Sequence, residues 1–512
     1  MSSLPPPPPR QPWDRAALPP PPDAWEQPDG WDALRAVPAE ERRPRWLAPL
    51  GIGISMVLLG GVVAGTWRAV DDGPGHPDAW DPRVADLAAY VEDERGLDFE
   101  HPVYVDFLSA DEYTKEATGA DAGADEEAAR ADFGDYAQQL RALGVASGEL
   151  DLFEAFNSVV DGGTLAFYDP DDERVRVRGK EMSVGLEVTL VHELTHALQD
   201  QHFDLDRVYD PTLDSGESTA FRSLAEGDAL RVENAYVEEE LTDDEQADYD
   251  EEFAGDLADS ESATADVPPF MEALFGAPYA LGQPFVTMLY NKDGNDGVDD
   301  AFEDPPTTDE HVLDPASFLD DEGAEDVDLD LDAELDVLEQ GPFGATSWYL
   351  VLAERIDPKQ AFEAALGWNG DAFAAYETDD DDVCVQAVFA GDAESDEDEM
   401  SAAIDDWASA MPSGSAEAIE VHGHPGMKTC DPGESVDLEL TGRSETSLYL
   451  PNLWGYLIAD AASVLDAEGS RCYARTVVDG LTYEQITDPE GATFAGDAFQ
   501  ARLQDAYETC SG

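Results

Sequence analysis

Residues 192–196 read His-Glu-Leu-Thr-His. On a helix, His192 and His196 lie four apart and share one face. Two imidazoles one turn apart can grip a single tetrahedral zinc ion. Glu193 follows the first histidine and is placed to act as general base toward a metal-activated water. The flanking run Leu186 to Leu198 has apolar residues at helical spacing and no Gly or Pro. Histidine is scarce, 8 in 512 residues. By chance the motif appears in about one such chain in a hundred.

A catalytic zinc needs a third protein ligand and one open position. Three residues compete for that role. His202 completes the spacing HExxHxxxxxH, but that arrangement needs a sharp turn at the position held by Gln199, and Gln tolerates positive φ poorly. Glu217 stands in a loop-like Asp-Ser-Gly-Glu-Ser stretch. Glu226 lies within the next helical run, in Ala225-Glu-Gly-Asp-Ala229. A Glu on a helix facing the motif helix, followed by a small residue that lets the two helices approach, is the arrangement of gluzincins, and similarity to it makes Glu226 the preferred ligand. Asp228 is then a candidate to hydrogen-bond a ligand histidine.

The elements around the motif read as α+β and helix-rich. Helices are expected over 84–91, 133–143, 221–237, 348–365 and 371–376, and a strand over 102–107. Two alternating runs in 164–178 flank the Tyr168-Asp-Pro-Asp-Asp172 turn and predict a hairpin just before the motif helix. An exposed strand there could receive an extended peptide by strand addition. Residues 268–291 read as a core helix pair, and the acidic stretches 238–265 and 320–338 as solvated loops. The pattern predicts one folded domain over 78–380. A small C-terminal α+β domain follows over 381–512, with strands at 383–389, 418–421 and 436–440 and helices at 397–411 and 499–507. It holds all four cysteines. Sequential pairing, Cys384–Cys430 and Cys472–Cys510, closes the shorter loops. No CxxC spacing occurs, so these cysteines are not expected to bind zinc.

Residues 1–45 are Pro-rich and predict a disordered cytoplasmic tail, with a Pro-binding module as its possible partner. Residues 47–66 carry no charge and are long enough for one membrane span, within a 46–67 segment bounded by Trp46 and Trp67. Arg42, Arg43 and Arg45 precede the span, so the positive-inside rule places the N-terminus in the cytoplasm and the rest outside the cell.

The chain has 116 acidic and 27 basic residues, a net charge of -89. Only Lys115, Lys180, Lys292, Lys359 and Lys428 are lysines. Such charge argues against nucleic acid as a partner. Disorder is not expected of the whole, because 42% hydrophobic residues and 10 Trp can build large cores. The composition resembles that of haloarchaeal proteins, whose surface repulsion is screened in strong salt.

Several further stretches carry a resemblance. They include Leu140-Arg-Ala-Leu-Gly144, Phe167-Tyr-Asp-Pro170, the motif with its extension to Leu205, and Ala225-Glu-Gly-Asp-Ala229. Pro278-Tyr-Ala-Leu-Gly282, Pro305-Pro-Thr-Thr-Asp-Glu310 and Gly367-Trp-Asn-Gly-Asp371 follow in order. Over about residues 85–410 the set resembles a gluzincin-like group of membrane proteins and lipoproteins of bacteria and archaea. The resemblance implies a zincin-like fold, a Zn2+ ion on His192, His196 and Glu226, and Glu193 as the catalytic residue. It implies a membrane-anchored metallopeptidase acting on peptide or protein outside the cell, or a non-catalytic zinc-binding envelope protein of the same fold. Gluzincins add a Tyr or His to hold the oxyanion; Tyr279, His311, His202 and Tyr209 are the candidates here. One departure shows. The group tends to read Glu-Gln-x-Leu-His-Pro where this chain has Glu310-His-Val-Leu-Asp-Pro315, and whether His311 replaces that His stays open.

Overall fold

The computed structural model describes residues 75–117, 126–155, 157, 165–209, 213–264, 267–378, 382–488, 493–494 and 496–511. The Pro-rich tail and the expected span at 47–66 lie outside the described residues. Among the described residues no helix is long and apolar enough to cross a membrane.

The chain begins with α1 (Ala85–Arg95), β1 (Tyr104–Leu108), α2 (Ala110–Ala117) and α3 (Glu126–Ala142). The expected hairpin forms as β2 (Ala166–Asp169) and β3 (Arg174–Arg178). These strands make a three-stranded sheet in the order β1-β3-β2. β1 runs parallel to β3 and β2 antiparallel to it. That leaves β2 at the edge, against the helix that carries the motif, α4 (Val184–Phe203).

Helices then dominate: α5 (Ser215–Glu239), α6 (Asp243–Ala263), α7 (Pro269–Asp293), α8 (Asn295–Glu303), α9 (Glu310–Leu313) and α10 (Pro315–Leu319). A second sheet follows, interleaved with helices: β4 (Asp336–Gly341), α11 (Ala345–Arg355), α12 (Pro358–Ala365), β5 (Trp368–Glu377), β6 (Val383–Gly391), α13 (Glu394–Ala410), β7 (Ala416–Val421) and β8 (His424–Cys430). Its order is β4-β5-β6-β8-β7, antiparallel throughout. The chain closes with α14 (Tyr449–Ala461), α15 (Ala467–Asp479), α16 (Tyr483–Ile486) and α17 (Asp497–Cys510). The α+β class is as the sequence predicts.

Both predicted disulfides are present, Cys384–Cys430 and Cys472–Cys510. The first joins facing residues of β6 and β8. The second joins α15 to α17.

Several local expectations need correction. Residues 371–376 are strand, within β5, because Ala374, Ala375 and Tyr376 are buried between paired neighbours. Residues 268–291 form one helix rather than a pair; α7 carries Pro278 and Pro284 inside it. The acidic stretch 238–265 is mostly the helix α6, started by a capping box in which Thr242 and Glu245 satisfy each other's amides. The expected strand at 436–440 has no regular structure.

A division at residue 380 falls between β5 and β6, which pair from Glu377↔Val383 to Trp368↔Gly391. Beyond it, α14 packs on α7, where Asn452 donates to the Ala280 carbonyl at 2.6 Å. Residues on both sides of 380 share one contiguous hydrophobic core.

α5 and α7 meet at a pair of glycines with backbone against backbone. A Cβ placed on Gly227 would sit 2.2 Å from the Gly282 carbonyl oxygen, and one on Gly282 only 1.9 Å from the Ser223 carbonyl oxygen. Neither position has room for a side chain. The small residue after Glu226 therefore admits α7, not α4 as the sequence suggested.

Candidate metal centre

Local signals fix the register of α4. The Ser183 hydroxyl accepts from the Leu186 amide, and Glu252 of α6 accepts from the Gly185 amide at 2.8 Å. Both satisfy N-terminal amides, and Glu252 also sets a negative charge at the positive end of the helix. The helix runs unbroken through Gln199 to Phe203 and stops where Asp204 turns left-handed, φ 59°. α5 begins with a capping box between Asp214 and Glu217. Glu217 thereby spends its carboxylate on the Asp214 amide at 2.9 Å.

These two helices bring three donors together. His192 Nε2 and His196 Nε2 lie 3.0 Å apart. Glu226 Oε2 is 3.2 Å from the first and 3.3 Å from the second. Zinc bonds of about 2.05 Å at tetrahedral angles place ligand atoms about 3.3 Å apart. The triangle fits that edge, and a His-His-carboxylate set is zinc chemistry. All three side chains are buried, at 2%, 0% and 1% exposure.

A second ring of contacts orients the donors. Glu233 Oε2 binds His192 Nδ1 at 2.9 Å, and Gln199 Oε1 binds His196 Nδ1 at 2.9 Å. Gln199 in turn donates to the Ala225 carbonyl and to Asp228 Oδ2. Arg95 Nε lies 2.8 Å from that same Asp228 oxygen, and both side chains are fully buried. Asp228 therefore reaches His196 through Gln199 rather than directly. Glu233 is the direct partner that the sequence reading missed. Its signal was available: Glu226 and Glu233 are seven apart on one helix and so share a face.

The charges follow from this packing. Burial opposes a proton on His192, but Glu226 and Glu233 outweigh it and raise its pKa to about 10. Burial also opposes charge on Glu226, yet the two histidines hold its pKa down at about 2. Tyr279 of α7 donates its hydroxyl to Glu226 Oε1 at 3.0 Å. Burial, then the charges of Glu226 and Glu193, push that phenol well above its usual range.

Glu193 is fully buried and its Oε2 accepts from the Tyr168 amide of β2 at 2.7 Å. The Tyr168 hydroxyl donates to Asp200 Oδ2 at 2.7 Å. The edge strand is thus pinned to α4 between the two histidines, at Glu193, and one turn beyond the second, at Asp200. The Tyr168 amide of this edge strand is engaged with Glu193 and so is not free to pair with an added strand.

The other candidates lie elsewhere. His202 Nε2 pairs with the Asp98 carbonyl at 2.9 Å on the exposed end of α4, because the helix does not turn at Gln199. His311 accepts from the Thr307 amide and meets the Glu322 carbonyl at 2.8 Å. The Tyr209 side chain lies outside the described residues. Beside Glu226 and Tyr279 opens a cavity of about 310 Å³, walled by Phe275, Phe343 and Phe373 and by Arg222.

No family model matches the chain, and no curated protein or solved structure matches it.

Proposed function

We propose that this chain is a zinc-dependent peptidase of gluzincin type. It is held in a membrane by the 47–66 span and faces outward. The carrying observation is the donor triangle of His192, His196 and Glu226, with Glu193 next in the chain and buried beside it. Bound zinc supplies Lewis-acid polarisation of a carbonyl and acidifies water. The chain supplies the rest. Glu233 and Gln199 hold each imidazole with Nε2 toward the metal position. Glu193 takes the proton of the attacking water and delivers it to the amine nitrogen as the C–N bond breaks. The Tyr279 hydroxyl, which rests on Glu226 Oε1, would turn from that carboxylate to donate to the developing oxyanion. The aromatic cavity beside it accepts an apolar side chain of the peptide.

The decisive comparison is wild type against Glu193→Gln on a casein-like substrate in strong salt. The variant is expected to retain about one zinc per chain and to lose about 10²–10⁴-fold in turnover. Equal turnover from both forms refutes the enzyme. A second reading has its own support: the three donors are buried like those of a closed structural site. It describes a zinc-bound envelope protein without hydrolytic activity, and it predicts stoichiometric zinc with no cleavage by either form.

A further inference from the structure

A second group of acidic oxygens lies away from the histidines. Carboxylate oxygens of Glu310, Glu322 and Asp392 all fall within 4.8 Å of one another. They come from distant parts of the chain: the start of α9, the loop after α10 and the loop after β6. Acidic residues abound here, so proximity alone decides nothing. What singles out the group is its floor. Glu310 is 1% exposed, and its Oε1 is fully buried without a hydrogen-bond partner among the described residues. A buried carboxylate lacking a partner is costly unless something cationic answers it.

The charge nearby does not answer it. Arg471 of α15 is spent on Glu322, with both terminal nitrogens at 2.8 Å, and on Asp314 at 2.6 Å. Asp314 itself accepts from the Trp454 indole at 2.9 Å. Asp320 also lies 3.7 Å from this guanidinium, so its ion pairs run to Asp314, Asp320 and Glu322 and not to Glu310 or Asp392. Burial, followed by the charges of Asp314, Glu322 and Asp392, pushes Glu310 well above the usual carboxylate range. Asp392 is raised to about 6 by burial and by Glu322 and Asp396.

We infer that Glu310, Glu322 and Asp392 form a binding site for a hard divalent cation of the calcium class. The donors are all oxygen, which suits calcium or magnesium and not a soft metal. Calcium takes six to eight oxygens at about 2.3–2.6 Å in flexible geometry and so suits carboxylates brought in from three separate segments, whereas magnesium demands near-ideal octahedral geometry at about 2.05 Å. Asp392 is exposed, which gives the ion an entry and room for water ligands. Once bound, the ion ties α9 to the second sheet. The rival account keeps Glu310 as a buried neutral acid that shares a proton with a neighbour and binds nothing.

The test is calcium titration of the full-length chain in a strong KCl background, which suppresses loose counterion binding, with heat and melting temperature as readouts. Wild type is expected to bind one equivalent of Ca2+ and to melt higher when loaded. Glu310→Gln and Asp392→Asn are each expected to weaken that binding at least tenfold and to lose the calcium-dependent rise in melting. Asp392 is at the surface, so its variant is informative even if Glu310→Gln folds poorly. No stoichiometric binding by wild type overturns the site. So does binding by both variants that equals wild type, which would place the ion elsewhere on the chain. Binding of Mg2+ as tight as Ca2+ overturns the calcium assignment.

Discussion

At the scale of single residues, the proton on His192 is the sharpest consequence of the site. With no metal bound, both ring nitrogens face carboxylates, and the pKa near 10 lies above the ordinary value of about 6.5. The stabilisation this gives the metal-free fold is fully present below about pH 6.5 and is lost as pH rises through about 10. A metal needs the Nε2 lone pair and must expel that proton. Zinc affinity is therefore expected to rise about tenfold per pH unit between pH 7 and 9. Competition with a chromophoric chelator reads this directly, and a flat profile contradicts the protonated pair. Glu233 makes a separate prediction. Glu233→Gln keeps the shape but removes the charge that binds His192 Nδ1. Zinc affinity should drop about 10–100-fold with little change in fold, measured by metal titration and near-ultraviolet circular dichroism. The motif itself was legible because histidine is rare in this chain. Glu233 was hidden because it is one acid among 116 acidic residues, and only its face on α5 distinguishes it.

At the scale of elements, the site depends on how closely α5 meets α7. α5 carries Glu226 and Glu233, while α7 carries Tyr279. Gly227 and Gly282 face each other's backbone with no space for a methyl group. Gly227→Ala must force the helices apart, because the obstacle is a carbonyl rather than a movable side chain. A loss of about 1–3 kcal/mol in denaturant unfolding is expected, together with weaker zinc binding as Tyr279 leaves Glu226. An unchanged unfolding midpoint contradicts this contact. Elements with strong local patterns were readable in advance. The hairpin before α4 has alternating residues and a clear turn, and α4 has a cap, periodicity and no breaker. β5 was not readable, since Ala-rich Asp371 to Tyr376 favours helix locally and is strand only through pairing on both sides. The expected helix pair over 268–291 is one element, because neighbouring packing keeps α7 continuous through Pro278 and Pro284.

At the scale of the whole molecule, net charge competes with burial. The charge of -89 gives a surface that repels itself, while internal ion pairs such as Arg95–Asp228 and Arg141–Asp431 are shielded from solvent. Dissolved salt acts on the former far more than on the latter. The melting temperature is expected to rise by on the order of 10 °C between about 0.1 M and about 2 M KCl. A melting temperature that falls with salt would mean that attractive surface pairs dominate.

The shared sheet and the seat of α14 on α7 bear on what counts as the smallest working unit. Cutting the chain at residue 380 removes β6, which pairs along β5, and strips Asn452 from the Ala280 carbonyl of α7. It also takes Trp454 and Arg471 from Asp314. The remnant would expose a raw strand edge and the flank of the very helix that carries Tyr279. The donor triangle and its contacts fall within residues 95–279, yet their scaffold is completed only by the last part of the chain.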